Sequence, residues 1–212
     1  MPNWVWNSVV ISGDATKIRE LDSTINAIPP VMYYDKEEER EVRRFSFLNI
    51  IAPPQEHWVE YNCGDNTPQE LITGFNWYAW NSRNWDTKWD ACDTEYVLEN
   101  TLDDRAVISV RFNTAWSPPR PILYWFYLTC RDAGLELDVY YEEETGWGGE
   151  FSLFSNGNFT YRYWDECAGY DEEAEEFIEA PRQEGTFQDW LNDWEYSLSQ
   201  MDNPITTTKK GN

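Results

Sequence analysis

Cations are scarce in this chain: 16 lysines and arginines stand against 39 aspartates and glutamates. Binding a nucleic-acid backbone needs a positive groove around any exposed rings. Arg83 and Lys88, the cations inside the ring-rich stretch WYAWNSRNWDTKWDACD (77–93), are too few to make one. Histidine is rarer still. His57, the single one, sits in PPQEHWVEY with no second histidine and no serine or cysteine nucleophile pattern beside it. A general-base reading of His57 therefore stands next to a plain one, a loop residue beside Trp58.

The four cysteines, Cys63, Cys92, Cys130 and Cys167, are scattered without a C-x-x-C pair. That spacing argues against a structural zinc and for four reduced thiols in a cytosolic chain. No run approaches the roughly 18 apolar residues of a membrane span. The start, MPNWVWNSVVISG, has neither a basic n-region nor an apolar h-region, so no secretory signal is expected. Neither G-x-x-x-x-G-K-[ST] nor G-x-G-x-x-G occurs, and the acidic runs lack EF-hand spacing. No cofactor and no metal are expected.

What the chain has in excess is negative charge, −23 in all, and aromatic surface, 17% of its residues. A soluble small domain needs a net charge of only about 2–8, so −23 asks for another reason. Such a surface repels nucleic acid and anionic membrane and draws basic protein surfaces, speeding encounter with them. Thirteen tryptophans offer enough burial to order most of the chain despite the charge.

Periodicity divides the chain as follows. NWVWNSVVIS alternates as a first strand, and Asp14 caps a helix with Ile18, Leu21, Ile25 and Ile28 on one face. DKEEEREVRR, within the 35–44 insertion, reads as a helical turn or solvated loop. FSFLNIIAPP reads as a second strand, residues 55–76 as loop or short helix, and AVISVRFNTAW as a third strand. SPPRPILYWFYLTCRDAG reads as a helix capped by Ser117 and closed by Gly134. LELDVYYEEE is a fourth strand, and Asn156-Gly157 announces a hairpin. The order is strand, helix, strand, strand, helix, strand: an α+β, ferredoxin-like βαββαβ antiparallel sheet with an added hairpin.

From Asp165 to Glu195 there are 12 acids against one cation, Arg182. Within this stretch TFQDWLNDWEYSLSQM is an amphipathic helix capped by Thr186. The expected organisation is a domain over 1–165, an acidic helix-ended extension over 166–204 and a tail over 205–212.

MPNWVWNSVVISG, FSFLNIIAPP, NWDTKWDACD and FNTAWSPPRPI resemble, in this order, the motifs of the YubB-like ferredoxin-like family, plasmid- and phage-borne proteins without a common activity. The resemblance covers roughly residues 1–165. It implies the fold and a mobile-element origin, and no catalytic residues. Where that family usually has glycine, this chain has Asp86, which can also take a left-handed conformation.

Three readings of function follow. The first is a non-enzymatic, cytoplasmic inhibitor of the DNA-mimic type. Its acids, Glu142, Glu143, Glu144, Asp171, Glu172, Glu173, Glu175 and Glu176, would contact a basic nucleic-acid-binding protein such as a defence nuclease. The second is an interaction module docking through the stripe Trp190, Leu191, Trp194 and Leu198. The third is a carbohydrate-binding protein or hydrolase using Trp80, Trp85 and Trp147, with Glu142 and Glu144 sharing one side of a strand. For 77–93 itself, a tight irregular core connection competes with a binding platform.

Overall fold

The computed structural model describes residues 3–30, 34–35, 40–41, 44–63, 69–101, 104–164, 169–171, 176–178 and 182–202. Strand β1 (Trp4–Asp14) alternates along its length, Val5, Asn7, Val9 and Ile11 facing inward. Asp14 ends it and starts helix α1 (Ala15–Ile25), accepting from the N–H groups of Thr16 and Lys17. That bond pattern satisfies two of the donors a helix start leaves open. Ile18, Leu21 and Ile25 form its buried stripe.

Two short paired strands follow, β2 (Tyr34–Asp35) and β3 (Arg40–Glu41). Then come helices α2 (Trp58–Cys63) and α3 (Trp77–Asn84), strand β4 (Cys92–Asn100) and strand β5 (Arg105–Ala115). Helix α4 (Arg120–Ala133) stops at Gly134, whose φ of 66° is the left-handed cap that glycine adopts without strain. Strand β6 (Glu136–Glu143) leads to the hairpin β7 (Gly148–Leu153) and β8 (Phe159–Trp164), turned at Asn156-Gly157 with φ 85° at the glycine. Strands β9 (Gly169–Asp171) and β10 (Glu176–Ile178) pair with each other. The described chain ends in β11 (Gln183–Gly185) and helix α5 (Phe187–Ser199), which opens with a full Thr186–Asp189 capping box.

The fold is mixed α+β. Its main sheet is seven-stranded and antiparallel, ordered β11-β8-β7-β6-β1-β5-β4. One face is dry: α1 packs on β1 and β5, α4 on β6 and β7, and α5 on α4 and β8. Aromatic rings fill this layer. Trp190 is fully buried and lies 4.9 Å from Phe151, 5.1 Å from Tyr127 and 5.1 Å from Phe159, centroid to centroid.

Four expectations change. FSFLNIIAPP is not a strand: Phe47–Asn49 form a 3-10 turn, and Phe45, Phe47 and Leu48 are core residues. The strand beside β5 is β4, which follows the ring-rich stretch and is exposed along most of its length. In the 35–44 insertion, expected as a helical turn or solvated loop, Asp35, Arg40 and Glu41 belong to the β2–β3 pair, and residues 36–39 and 42–43 lie outside the described ones. Ser117 does not cap α4; its hydroxyl donates to the carbonyl of Asp86, and the helix begins after Pro119.

Candidate functional site

Alternation along the strands leaves the second face of the main sheet uncovered among the described residues. In register across it run two rows: Val10, Asp138, Ser152, Thr160 and Ser8, Tyr140, Glu150, Arg162. A third row holds Trp6, Glu142, Gly148 and Trp164. Because side chains on a strand alternate, every second residue of β6 (Glu136, Asp138, Tyr140, Glu142) lies on this face. Trp6 is 54% exposed.

Cations on this face are held by its own carboxylates. Arg105 reaches Glu136 at 2.8 Å, Arg162 reaches Glu150 at 3.1 Å, and Arg111 lies 3.7 Å from Glu95. Arg182 approaches Glu150 at 3.9 Å while its guanidinium lies 4.5 Å over the Trp164 ring. Hydrogen bonds from Ser12 and Ser155 hold the Glu136 carboxyl below its usual range, helped by Arg105. Tyr140 is pushed up to about 12 by burial and by its hydrogen bond to the Glu142 carboxylate.

The acids expected to bind a partner separate. Glu142 is half-buried and Glu144 exposed. Glu144 lies just past the end of β6, so it does not continue the strand alternation that would put it beside Glu142. Glu143 is a correction: it is only 2% exposed, because its register opposite Val5 turns it into the core face. Its carboxyl resists the upward push of burial and stays low, since Thr145 donates both its hydroxyl and its N–H, the latter at 2.7 Å. Asp171 and Glu176 sit opposite each other in the β9–β10 pair. Glu172, Glu173 and Glu175 lie outside the described residues.

The apolar stripe of α5 is a second correction. Trp190 and Trp194 are 0% and 1% exposed, and Leu191 and Leu198 pack half-buried against the same core. This helix face is covered by its own sheet and α4.

The ring-rich stretch 77–93 is both core and surface. Its first half is helical, capped by Asn76. Trp80 and Trp85 are buried, Trp85 edge-on to Phe47 at 5.5 Å with its Nε1–H donating to the Ile51 carbonyl, so neither can stack on a sugar. Trp77 and Tyr78 face out, and Tyr78, Trp89 and Trp116 surround Lys88, whose Nζ lies 4.5 Å from Trp89, 5.4 Å from Trp116 and 5.8 Å from Tyr78. Trp147 is half-buried.

Asp86 adopts φ 63°, the left-handed turn a glycine would favour. Its carboxylate meets Arg120 at 2.5 Å and accepts from the Ser197 hydroxyl at 2.9 Å. Asp86 thus links the 77–93 turn, the start of α4 and the end of α5, a role no sequence spacing indicated. Burial pushes its carboxyl up, against the pull of Arg120 and Ser197.

His57 stacks on Phe75 at 4.6 Å and shares a 3.0 Å hydrogen bond, through Nδ1, with the Thr73 hydroxyl. Thr73 in turn donates to Glu60 at 2.6 Å. With its hydroxyl proton committed to Glu60, Thr73 accepts from Nδ1–H, which makes Nε2 the acceptor nitrogen. These residues fix the loop 73–75 against α2. Among the described residues no group of three His, Cys, Asp or Glu side chains could hold a metal, and no helix is long and apolar enough to cross a membrane.

No family model and no curated protein matches the chain. Among solved structures it is similar to protein api92 from Yersinia pseudotuberculosis, a DUF1281 protein, over 88% of this chain and 99% of that one. Their identity is 9% and the TM-score 0.40, too remote to bear on any site.

Proposed function

We propose that this protein is a non-enzymatic acidic binding protein that occupies the nucleic-acid-binding surface of a basic partner. The observation that carries the reading concerns its cations. Eleven of the sixteen lysine and arginine side chains are engaged within the chain. Lys17 donates to the Ala133 carbonyl and Arg19 to Asn100, while Lys88 lies among rings. Arg44, Arg83, Arg120 and Arg131 each hold an aspartate, as the four arginines of the open face hold Glu95, Glu136 and Glu150. The acids facing solvent include Asp138 and Glu142 on the sheet side, Glu144 past the end of β6, and Glu184, Asp189, Asp193 and Glu195 around β11 and α5. Along β6, Glu136 and Asp138 stand about 6.8 Å apart by strand rise and Glu142 about 14 Å beyond Asp138, carboxylates on one face that a phosphate-reading protein can engage.

We further read β6-β1-β5-β4, with α1 and α4 as the crossovers, as a ferredoxin-like unit extended by β7, β8 and β11. The likeness of the four quoted motifs to the YubB-like family supports a plasmid or phage origin and a host nuclease or defence complex as partner, and the scattered cysteines support a cytoplasmic site of action.

Fluorescence anisotropy of a labelled DNA duplex with a panel of basic bacterial nucleases tests the reading. Added protein should displace the duplex, and displacement should weaken steeply with salt. Lack of displacement across the panel at low salt, or displacement indifferent to salt, refutes it.

A further inference from the structure

We propose that the uncovered sheet face carries a receptor for an arginine side chain, with Asp138 as its free carboxylate and Tyr140 and Phe154 as its walls. It rests on the reading of a basic partner and locates one contact within it. A cleft of about 390 Å³ lies over β6, β7 and β8. Its origin is the register: Ser8, Val10, Ser152 and Thr160 place small side chains side by side, while Tyr140 and the 45%-exposed Phe154 stand at its edge.

The chemistry of the cleft favours a cation. Its floor offers serine and threonine hydroxyls and the carboxylates of Asp138 and Glu150, and its one cation, Arg162, is already held by Glu150. Ser152 donates to Oδ1 of Asp138, which leaves Oδ2 without a partner among the described residues and Asp138 without a cation. Among the described residues, Asp138 is the acid of these two rows that no arginine reaches.

The chain also shows how this face takes a guanidinium. The Arg182 guanidinium lies 4.5 Å over the Trp164 ring and 3.9 Å from Glu150, a ring and a carboxylate together. Tyr140 and Asp138, two residues apart on the same face of β6, again bring a ring and a carboxylate together. A guanidinium suits it better than an ammonium, because its planar, weakly hydrated group stacks on a ring while donating in-plane to a carboxylate. The net charge of −23 adds a field that draws such a group in.

Isothermal titration with hexa-arginine and hexa-lysine separates a site from a diffuse field. Three forms are compared: the protein as it is, Asp138→Asn, and Glu20→Gln, which removes the same charge from an exposed position on α1. Hexa-arginine should bind more tightly than hexa-lysine. Asp138→Asn should weaken it about tenfold and Glu20→Gln less than about twofold, since only the first removes a charge-assisted hydrogen bond. Equal loss in the two variants, or equal affinity for the two peptides, overturns the receptor and leaves the acidic-binding reading standing. Absence of binding by either peptide overturns both.

Discussion

Replacing Trp190 by alanine tests whether α5 belongs to the fold or is held for a partner. Trp190 is fully buried, and its ring also lies 4.6 Å from Trp194, 5.5 Å from Phe187 and 5.9 Å from Tyr124. Removing roughly 200 Å² of ring from water at ~25 cal/mol per Å² contributes about 5 kcal/mol. The alanine that remains recovers a little of this, and the cavity left behind costs more. Large-to-small changes of this kind cost about 3–5 kcal/mol in well-packed cores. For a domain of ordinary stability, about 5–15 kcal/mol, that is a large share. Urea unfolding followed by far-ultraviolet circular dichroism reads the loss without relying on emission from the other tryptophans. Tyr196→Ala, 75% exposed on the same helix, is the control and should stay within about 0.5 kcal/mol. A loss below about 1 kcal/mol for Trp190→Ala, with an unchanged denaturant slope, would refute the packing argument and return the stripe to the role of a docking face.

Asp86 offers a second check: Asp86→Ala removes the partner of Arg120 while a β-carbon stays at φ 63° without the carboxylate, so a loss of about 3 kcal/mol is expected in the same unfolding assay. Asp86→Gly keeps the turn and should recover about 1–2 kcal/mol of that; equal losses would show that the backbone is not left-handed there. Burial pushes the Cys130 thiol up to about 12, whereas Cys63 is exposed. Cys63→Ser should therefore lower the count of thiols that react with Ellman's reagent in the native state by one, and Cys130→Ser should leave it unchanged. Burial opposes ionisation of Asp202, yet Asn84 and Arg83 hold its carboxyl below the usual range. A depressed carboxyl stabilises above its unfolded value, about 3.9, and that stabilisation disappears as pH falls through the folded value. Urea midpoints should thus decline below about pH 4, less steeply in Asp202→Asn; identical profiles would exclude the contact.

Much of the architecture was written locally. Asp14 and Thr186 announced helix starts, Gly134 a helix end and Asn156-Gly157 a hairpin, because caps and turns are chosen by residues within four positions of each other. β1, β5 and β6 were legible because one face is covered and the other is not, so their apolar residues alternate. β4 escaped notice for the opposite reason. CDTEYVLEN is exposed on nearly every residue, and an edge strand with little to bury carries no period-2 signal. FSFLNIIAPP was misread because a short apolar run states burial without stating conformation: Phe45 and Phe47 reach the core from a loop and a 3-10 turn. The open face itself was half legible. Alternation in LELDVYYEEE placed Glu136, Asp138, Tyr140 and Glu142 together, but the strand ends at Glu143, so Glu144 does not continue their row.

By itself the sequence determined composition-borne and short-range properties: the charge of −23, the helix caps, the alternating strands and the amphipathic stripe of α5. The tertiary structure alone decided which of these are available to a partner. Ser197 meets Asp86 across 111 positions and Arg83 meets Asp202 across 119, distances over which no local pattern selects a neighbour. The same long-range pairing holds the open-face arginines against their carboxylates, leaves Asp138 uncovered and turns Glu143 inward. Chain connectivity sets what each residue is, whereas strand register and layer packing set what it faces.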